Sequence, residues 1–208
     1  MSVARFLGQP AVKITVVGTY SLSNWYDSRG RPRTFACQTT RVSPFQLMVN
    51  VPVVGRIGNP TTCYFHDLGK LDGVISDTTN GSFLLDLEMT GPMREKFASK
   101  LAWLEKRQKD PRVEEARKDA RIIPIDPHST LTFADGTIRP CFVIDMSASG
   151  AAVSAAVQPP IGTPLAVGAC VGRVVRGLPE GFAVKFAEAQ NGKNFERLLG
   201  RFRTSCAK

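Results

Sequence analysis

The chain has little of what most enzymes and metal proteins are built from. Histidine occurs only at His66 and His128. The five cysteines, Cys37, Cys63, Cys141, Cys170 and Cys206, are far apart, and no Cys-x-x-Cys occurs. A zinc site draws on such ligands at close spacing, so no metal or other cofactor is expected. An odd number of scattered cysteines points to free thiols in a reducing compartment, buried in β-rich runs as small apolar side chains. No Ser–His–acid arrangement is evident, and no Gly-x-x-x-x-Gly-Lys-Ser/Thr loop is present. Nucleophilic catalysis and P-loop phosphate binding therefore lack their parts, and the chain reads as a non-enzyme. There is no run of ~18 apolar residues, so no membrane-spanning helix is expected. Met1 to Pro10 lacks a charged region followed by a long apolar one, so no secretory signal is read and a cytoplasmic protein is expected.

What is present is positive charge. The formal net charge is +9 and the pI is near 9.6, which favours anionic partners. Lys106, Arg107, Lys109, Arg112, Arg117, Lys118 and Arg121 fall in one short stretch, alternating with Glu105, Asp110, Glu114, Glu115 and Asp119. Most of that stretch reads as a solvated segment laced with ion pairs. No aromatic residue interleaves the cations between Lys106 and Arg121, so a stacking platform for single-stranded nucleic acid is poorly supported.

Two members of the stretch stand apart. Arg117 and Arg121 form an Arg-x-x-x-Arg ahead of a β-rich segment that carries Asp145-Met146-Ser147-Ala148-Ser149-Gly150. Guanidinium forks bind phosphate oxygens bidentately and stack on flat bases. A carboxylate can accept from the N–H edge of guanine, a hydroxyl can donate or accept, and a glycine lets backbone approach a ligand closely. One hairpin separates the two motifs: a strand at His128–Ala134, a turn at Asp135-Gly136, and a strand at Ile138–Ile144.

In this order the motifs resemble those of the PilZ family, over Arg117 to about Phe202. The runs Gly150-Ala151-Ala152-Val153, Pro160 to Pro164, Gly172-Arg173-Val174-Val175 and Gly181 to Phe186 continue the likeness. The resemblance implies a six-stranded antiparallel β-barrel that binds cyclic di-GMP as its ligand. It implies that Arg117 and Arg121 clamp phosphate and stack on guanine, that Asp145 and Ser147 read the guanine edge, and that Gly150 permits close approach. It further implies a bacterial second-messenger receptor with an unidentified protein partner, and it is compatible with a homodimer. The resemblance also implies that the residue just before the first arginine, here Ala116, bears on whether one ligand or an intercalated pair binds. Two other readings stay open: a PilZ-like scaffold that binds protein without ligand, and a basic small-barrel nucleic-acid binder.

The chain also repeats itself. Thr34–Thr39 lies over Ile138–Val143 with Cys37 on Cys141, and Ser43 then falls on Ser147. Phe83–Leu87 matches Phe182–Phe186. Each is followed by a helix-like run, with Phe97, Leu101 and Leu104 in the first and Phe195, Leu198, Leu199 and Phe202 in the second. The expected fold is mainly β, with two tandem six-stranded antiparallel barrels, each followed by an α-helix. The first spans residues 1–108 and the second, with its lead-in, 109–208. A strand is expected within Val12–Leu22. Gly58–Leu71 has no evident counterpart in the second half. Pro92–Gln108 is predicted as an amphipathic helix with Trp103 on its apolar side, and Asp110-Pro111 should interrupt it. Ile122-Ile123-Pro124-Ile125 is expected to anchor the lead-in against the barrel. In the first copy Arg41 stands where Asp145 does and Gln46 where Gly150 does, so its binding chemistry is expected to be lost.

Overall fold

Alternation of apolar and polar residues builds strands, and these strands close on themselves twice. The computed structural model describes residues 11–27, 29–108 and 122–190. The chain divides into two units, Met1–Glu114 and Glu115–Lys208. In the first, β1 (Val17–Tyr26), β2 (Pro32–Val42), β3 (Gln46–Asn50), β4 (Pro60–Phe65), β5 (Gly69–Thr79) and β6 (Ser82–Leu87) form a closed barrel, followed by α1 (Gly91–Gln108). In the second, β7 (His128–Phe133), β8 (Ile138–Ser147), β9 (Gly150–Ala155), β10 (Pro164–Val167), β11 (Cys170–Leu178) and β12 (Gly181–Phe186) form another. The strand orders are β1-β2-β3-β6-β5-β4 and β7-β8-β9-β12-β11-β10, which are the same path. All pairings are antiparallel. The tandem six-stranded barrels expected from the sequence are the fold. The helix expected around Phe195–Phe202 and the break at Asp110-Pro111 lie outside the described residues.

The hairpin at Asp135-Gly136 forms as its chemistry demands. Gly136 takes a φ of 81°, the left-handed region that glycine enters without strain, and the Asp135 carboxylate accepts from the Thr137 amide at 2.9 Å. The second core is built from Leu131, Val143, Val153, Leu165, Val174, Phe182, Val184 and Phe186, all facing inward. The first core is more aromatic, with the Tyr20 ring in contact with those of both Phe35 and Phe83. Helix α1 closes this core by burying Phe97, Leu101 and Leu104, each contributing about 1.5–3 kcal/mol. Arg94 fixes the helix start, with its guanidinium 4.2 Å from the Phe45 ring centre and donating to the Met89 carbonyl at 3.1 Å.

Several expectations need correction. Trp103 is 55% exposed rather than on the packing stripe. At about 100° per residue it lies far round the helix from Leu101 and Leu104. The strand expected within Val12–Leu22 begins at Val17 and runs on to Tyr26. Gly58–Leu71 does have a counterpart: it supplies β4 and the start of β5, which occupy the barrel positions of β10 and β11. The shorter β10 hid that match. Of Ile122-Ile123-Pro124-Ile125, Pro124 is buried, but Ile122, Ile123 and Ile125 are exposed. Backbone pairing also holds this run: Ile122 donates to Met146 O at 2.8 Å and accepts from the Met146 amide at 3.0 Å.

No helix among the described residues is long and apolar enough to cross a membrane. Cys37, Cys63, Cys141 and Cys170 are free thiols buried in the barrels. Burial pushes the thiols of Cys37, Cys141 and Cys170 up, away from the reactive thiolate. With iodoacetamide at pH 8, none of these four should be alkylated in the native protein, and all four should be in urea, as read by peptide mass. Native labelling of any of them would contradict this packing.

Candidate ligand-binding groove

Asp145 reaches the surface because β8 carries one extra residue. Cys141 and Val143 point into the core, and strict alternation would send Asp145 in after them. The register with β9 runs Val143 to Val153 and then Asp145 to Ala152, so Ile144 is inserted as a bulge. A bulge resets which face the next residue takes. Asp145 therefore faces outward while Met146 is buried. Strand β11 repeats the device. Val174 pairs with Val184 and Arg176 with Ala183, which leaves Val175 as the extra residue. Arg176 is turned out in the same way.

The two bulges act on one cross-strand row. Asp145 pairs with Ala152, Ala152 with Ala183, and Ala183 with Arg176. The next row on the same face is Ser147, Gly150, Lys185 and Arg173. The result is a floor of Gly150, Ala152 and Ala183 with an acid and a hydroxyl on one side and cations on the other. All of these except Arg173 line an open groove of about 280 Å³ with Ser149 and Val175. The sequence motif is thus not wholly a turn: Asp145 and Ser147 end one strand, Gly150 begins the next, and Ala148-Ser149 is the connection. The connection is tied down from β12 and beyond, with Ser149 O accepting from the Phe186 amide at 2.9 Å and Ala148 O from the Gln190 amide at 2.8 Å. The Ser147 and Ser149 hydroxyls lie 3.3 Å apart.

Of the five residues singled out in the sequence, the structure brings three together: Asp145, Ser147 and Gly150. Arg117 and Arg121 lie outside the described residues. The pairing of Ile122 with Met146 nevertheless ties the residue following Arg121 to the one following Asp145. Sequence reading missed Arg173, Arg176 and Lys185. Their signal is weak in one dimension, because they join Asp145 only through the β9–β12–β11 pairings. Gly150 also has a role that was not foreseen. A Cβ there would lie 2.4 Å from the Val184 carbonyl oxygen, so the residue lets β9 and β12 close on each other.

The first barrel has the same backbone and other chemistry. Its β2 carries the equivalent bulge at Thr40, turning Arg41 out to pair with Met48, and β5 carries one at Ser76, ahead of the Asp77–Leu84 pair. The corresponding rows are Arg41, Met48, Leu84 and Asp77, then Ser43, Gln46, Asp86 and Val74. The small floor is replaced by Met48, Leu84 and Gln46, and Lys185 and Arg176 by Asp86 and Asp77. Asp86 accepts from Gln46 Nε2 and from Ser76 Oγ, each at 2.7 Å, in a local polar network.

Residues 107–203, most of the C-terminal unit, match the family model described as PilZ domain. None of the curated proteins matches the chain. Among solved structures it is similar to the Borreliella burgdorferi PlzA protein in complex with c-di-GMP, at 11% identity over 91% of each chain and a TM-score of 0.30. It is similar to Bacillus subtilis MotI/DgrA, an inhibitor of motility, at 13% identity over 90% of this chain and 94% of that one, TM-score 0.28. Escherichia coli YcgR in complex with c-di-GMP gives 11% identity over 90% and 81%, TM-score 0.27.

The tight contact at Gly150 yields a stability prediction. Gly150→Ala must move either strand, an overpacking cost of about 1–3 kcal/mol. Urea unfolding of the ligand-free protein should show this loss in the C-terminal unit. Unchanged stability would mean that the glycine is needed for ligand approach alone.

Proposed function

We propose that the chain is a non-enzymatic receptor for cyclic di-GMP whose C-terminal PilZ domain holds the site. The carrying observation is the outward row of Asp145 with Ser147 beside a floor of Gly150, Ala152 and Ala183. A carboxylate on an open, small-residue floor can accept from N1–H and N2–H of a guanine lying flat against the strands. The Ser147 hydroxyl adds a contact that can donate or accept. A groove of about 280 Å³ suits one nucleobase and its sugar better than a whole dinucleotide. The rest of the ligand falls to the lead-in. Arg117 and Arg121 supply phosphate forks and a stacking plane from the segment that the Ile122–Met146 pairing leads into the barrel.

The first barrel is assigned a structural or partner-binding part. With Asp86 and Asp77 in place of Lys185 and Arg176, its equivalent face repels a phosphodiester, and Gln46, Met48 and Leu84 fill the floor. A shared fold does not carry a shared site. Ligand binding would alter recognition of a protein partner.

Calorimetry of the full chain with cyclic di-GMP tests the reading, and no heat of binding would sink it. Arg117→Ala and Arg121→Ala should each remove a charge-assisted contact, roughly 1.5–3 kcal/mol. That corresponds to about ten-fold to more than a hundred-fold in affinity. An alanine variant as tight as the parent would remove that arginine from the site.

Asp145 makes a separate claim about selectivity. Adenine presents no N1–H to a carboxylate, so the parent should prefer cyclic di-GMP to cyclic di-AMP. Asp145→Ala should weaken the first and leave the second nearly unchanged. Equal affinity of the parent for both would leave only phosphate attraction.

A further inference from the structure

We infer that the barrel wall itself supplies a phosphate-binding site, formed by Lys185 of β12 and Arg176 of β11. The inference rests on reading the groove as a cyclic dinucleotide site and names what holds the ligand on the side away from Asp145.

The register fixes the arrangement. Ser147, Gly150 and Lys185 follow one another in one row, and Asp145, Ala152, Ala183 and Arg176 in the other. Two strand spacings therefore separate Lys185 from Ser147, roughly 10 Å. That is about the reach of a nucleoside from its base edge to its phosphate. A guanine read at Asp145 lays its sugar over Gly150 and Ala152 and delivers its phosphodiester to Lys185, with Arg176 one strand further along.

Both cations are exposed. Among the described residues the ion pairs are Arg31–Asp27 and Lys70–Asp72, and neither Lys185 nor Arg176 takes part in one. Arg173, the third cation of this wall, is committed elsewhere: its Nη1 donates to Gly162 O at 2.5 Å. Positive charge is not a requirement of the barrel, because the first copy keeps the bulge and places Asp77 and Asp86 at the same positions. The backbone device belongs to the fold; the charge belongs to the site.

The test is calorimetric titration of the full chain with cyclic di-GMP at low and high salt. Lys185→Gln and Arg176→Gln should each weaken binding about ten-fold at low salt, the size of a lost charge-assisted contact. The loss should shrink at high salt, because the missing term is screened. Lys185→Arg should keep affinity, and Lys185→Glu should lose more than the glutamine. Asp145→Asn, which removes base reading, should weaken binding at both salts. Lys100→Gln, the same charge change on exposed α1, should have no effect. The inference is overturned if the parent binds and the Lys185 and Arg176 glutamine variants match it in affinity and salt dependence. It is equally overturned if Lys100→Gln weakens binding as much, since net charge would then be the cause. A parent that does not bind cyclic di-GMP takes down the reading of the groove and this inference with it.

Discussion

Two inserted residues govern this molecule's surface. In a closed barrel every strand has one face in the core, and strict alternation decides which side chains water can reach. Ile144 and Val175 break that alternation at opposite edges of one four-strand patch. Without them Asp145 and Arg176 would be in phase with Val143 and Val174 and would face the core, where unpaired charges are costly. With them, an acid and a guanidinium stand at the two ends of one row with alanines between. The groove is thus a consequence of how the barrel bends.

The first barrel separates what the fold requires from what the site requires. Both copies bulge at the same place on the second strand and at the same place on the fifth. Both also keep a glycine just before the fifth strand's outward residue. A Cβ at Gly73 would lie 2.2 Å from Asp86 O, and one at Gly172 2.4 Å from Lys185 O. These features recur because closing six strands around a small core demands them. The side chains mounted on them do not recur. Reversal of charge at three outward positions, from Asp145, Lys185 and Arg176 to Arg41, Asp86 and Asp77, leaves the barrel intact and replaces its surface chemistry.

Local chemistry was the legible part of the sequence. The Asp135-Gly136 turn and the stripe of α1 each rest on residues near one another in the chain, the alignment of Cys37 with Cys141 rests on matching two such local runs, and each has its structural counterpart. Asp145, Ser147 and Gly150 could be singled out for the same reason. The bulges were illegible because Ile144 and Val175 are ordinary strand residues, and an added residue only shifts phase. The cations of β11 and β12 were illegible because they meet Asp145 through pairings between strands distant in sequence. Trp103 misled because hydrophobicity was allowed to outweigh its angular position on the helix.

Gly150 shows how one residue can serve barrel and groove together. The first copy carries Gln46 at this position, so a six-stranded barrel of this path tolerates a side chain there when its strands allow the space. The second copy does not, because Val184 O would be only 2.4 Å from a Cβ. The close approach of β9 to β12 is therefore a local property of the C-terminal barrel. It removes a side chain from the groove floor between Ser147 and Lys185. A glycine that appears in the sequence as room for a ligand is, in the structure, first a contact between strands. The open floor above it follows from that contact.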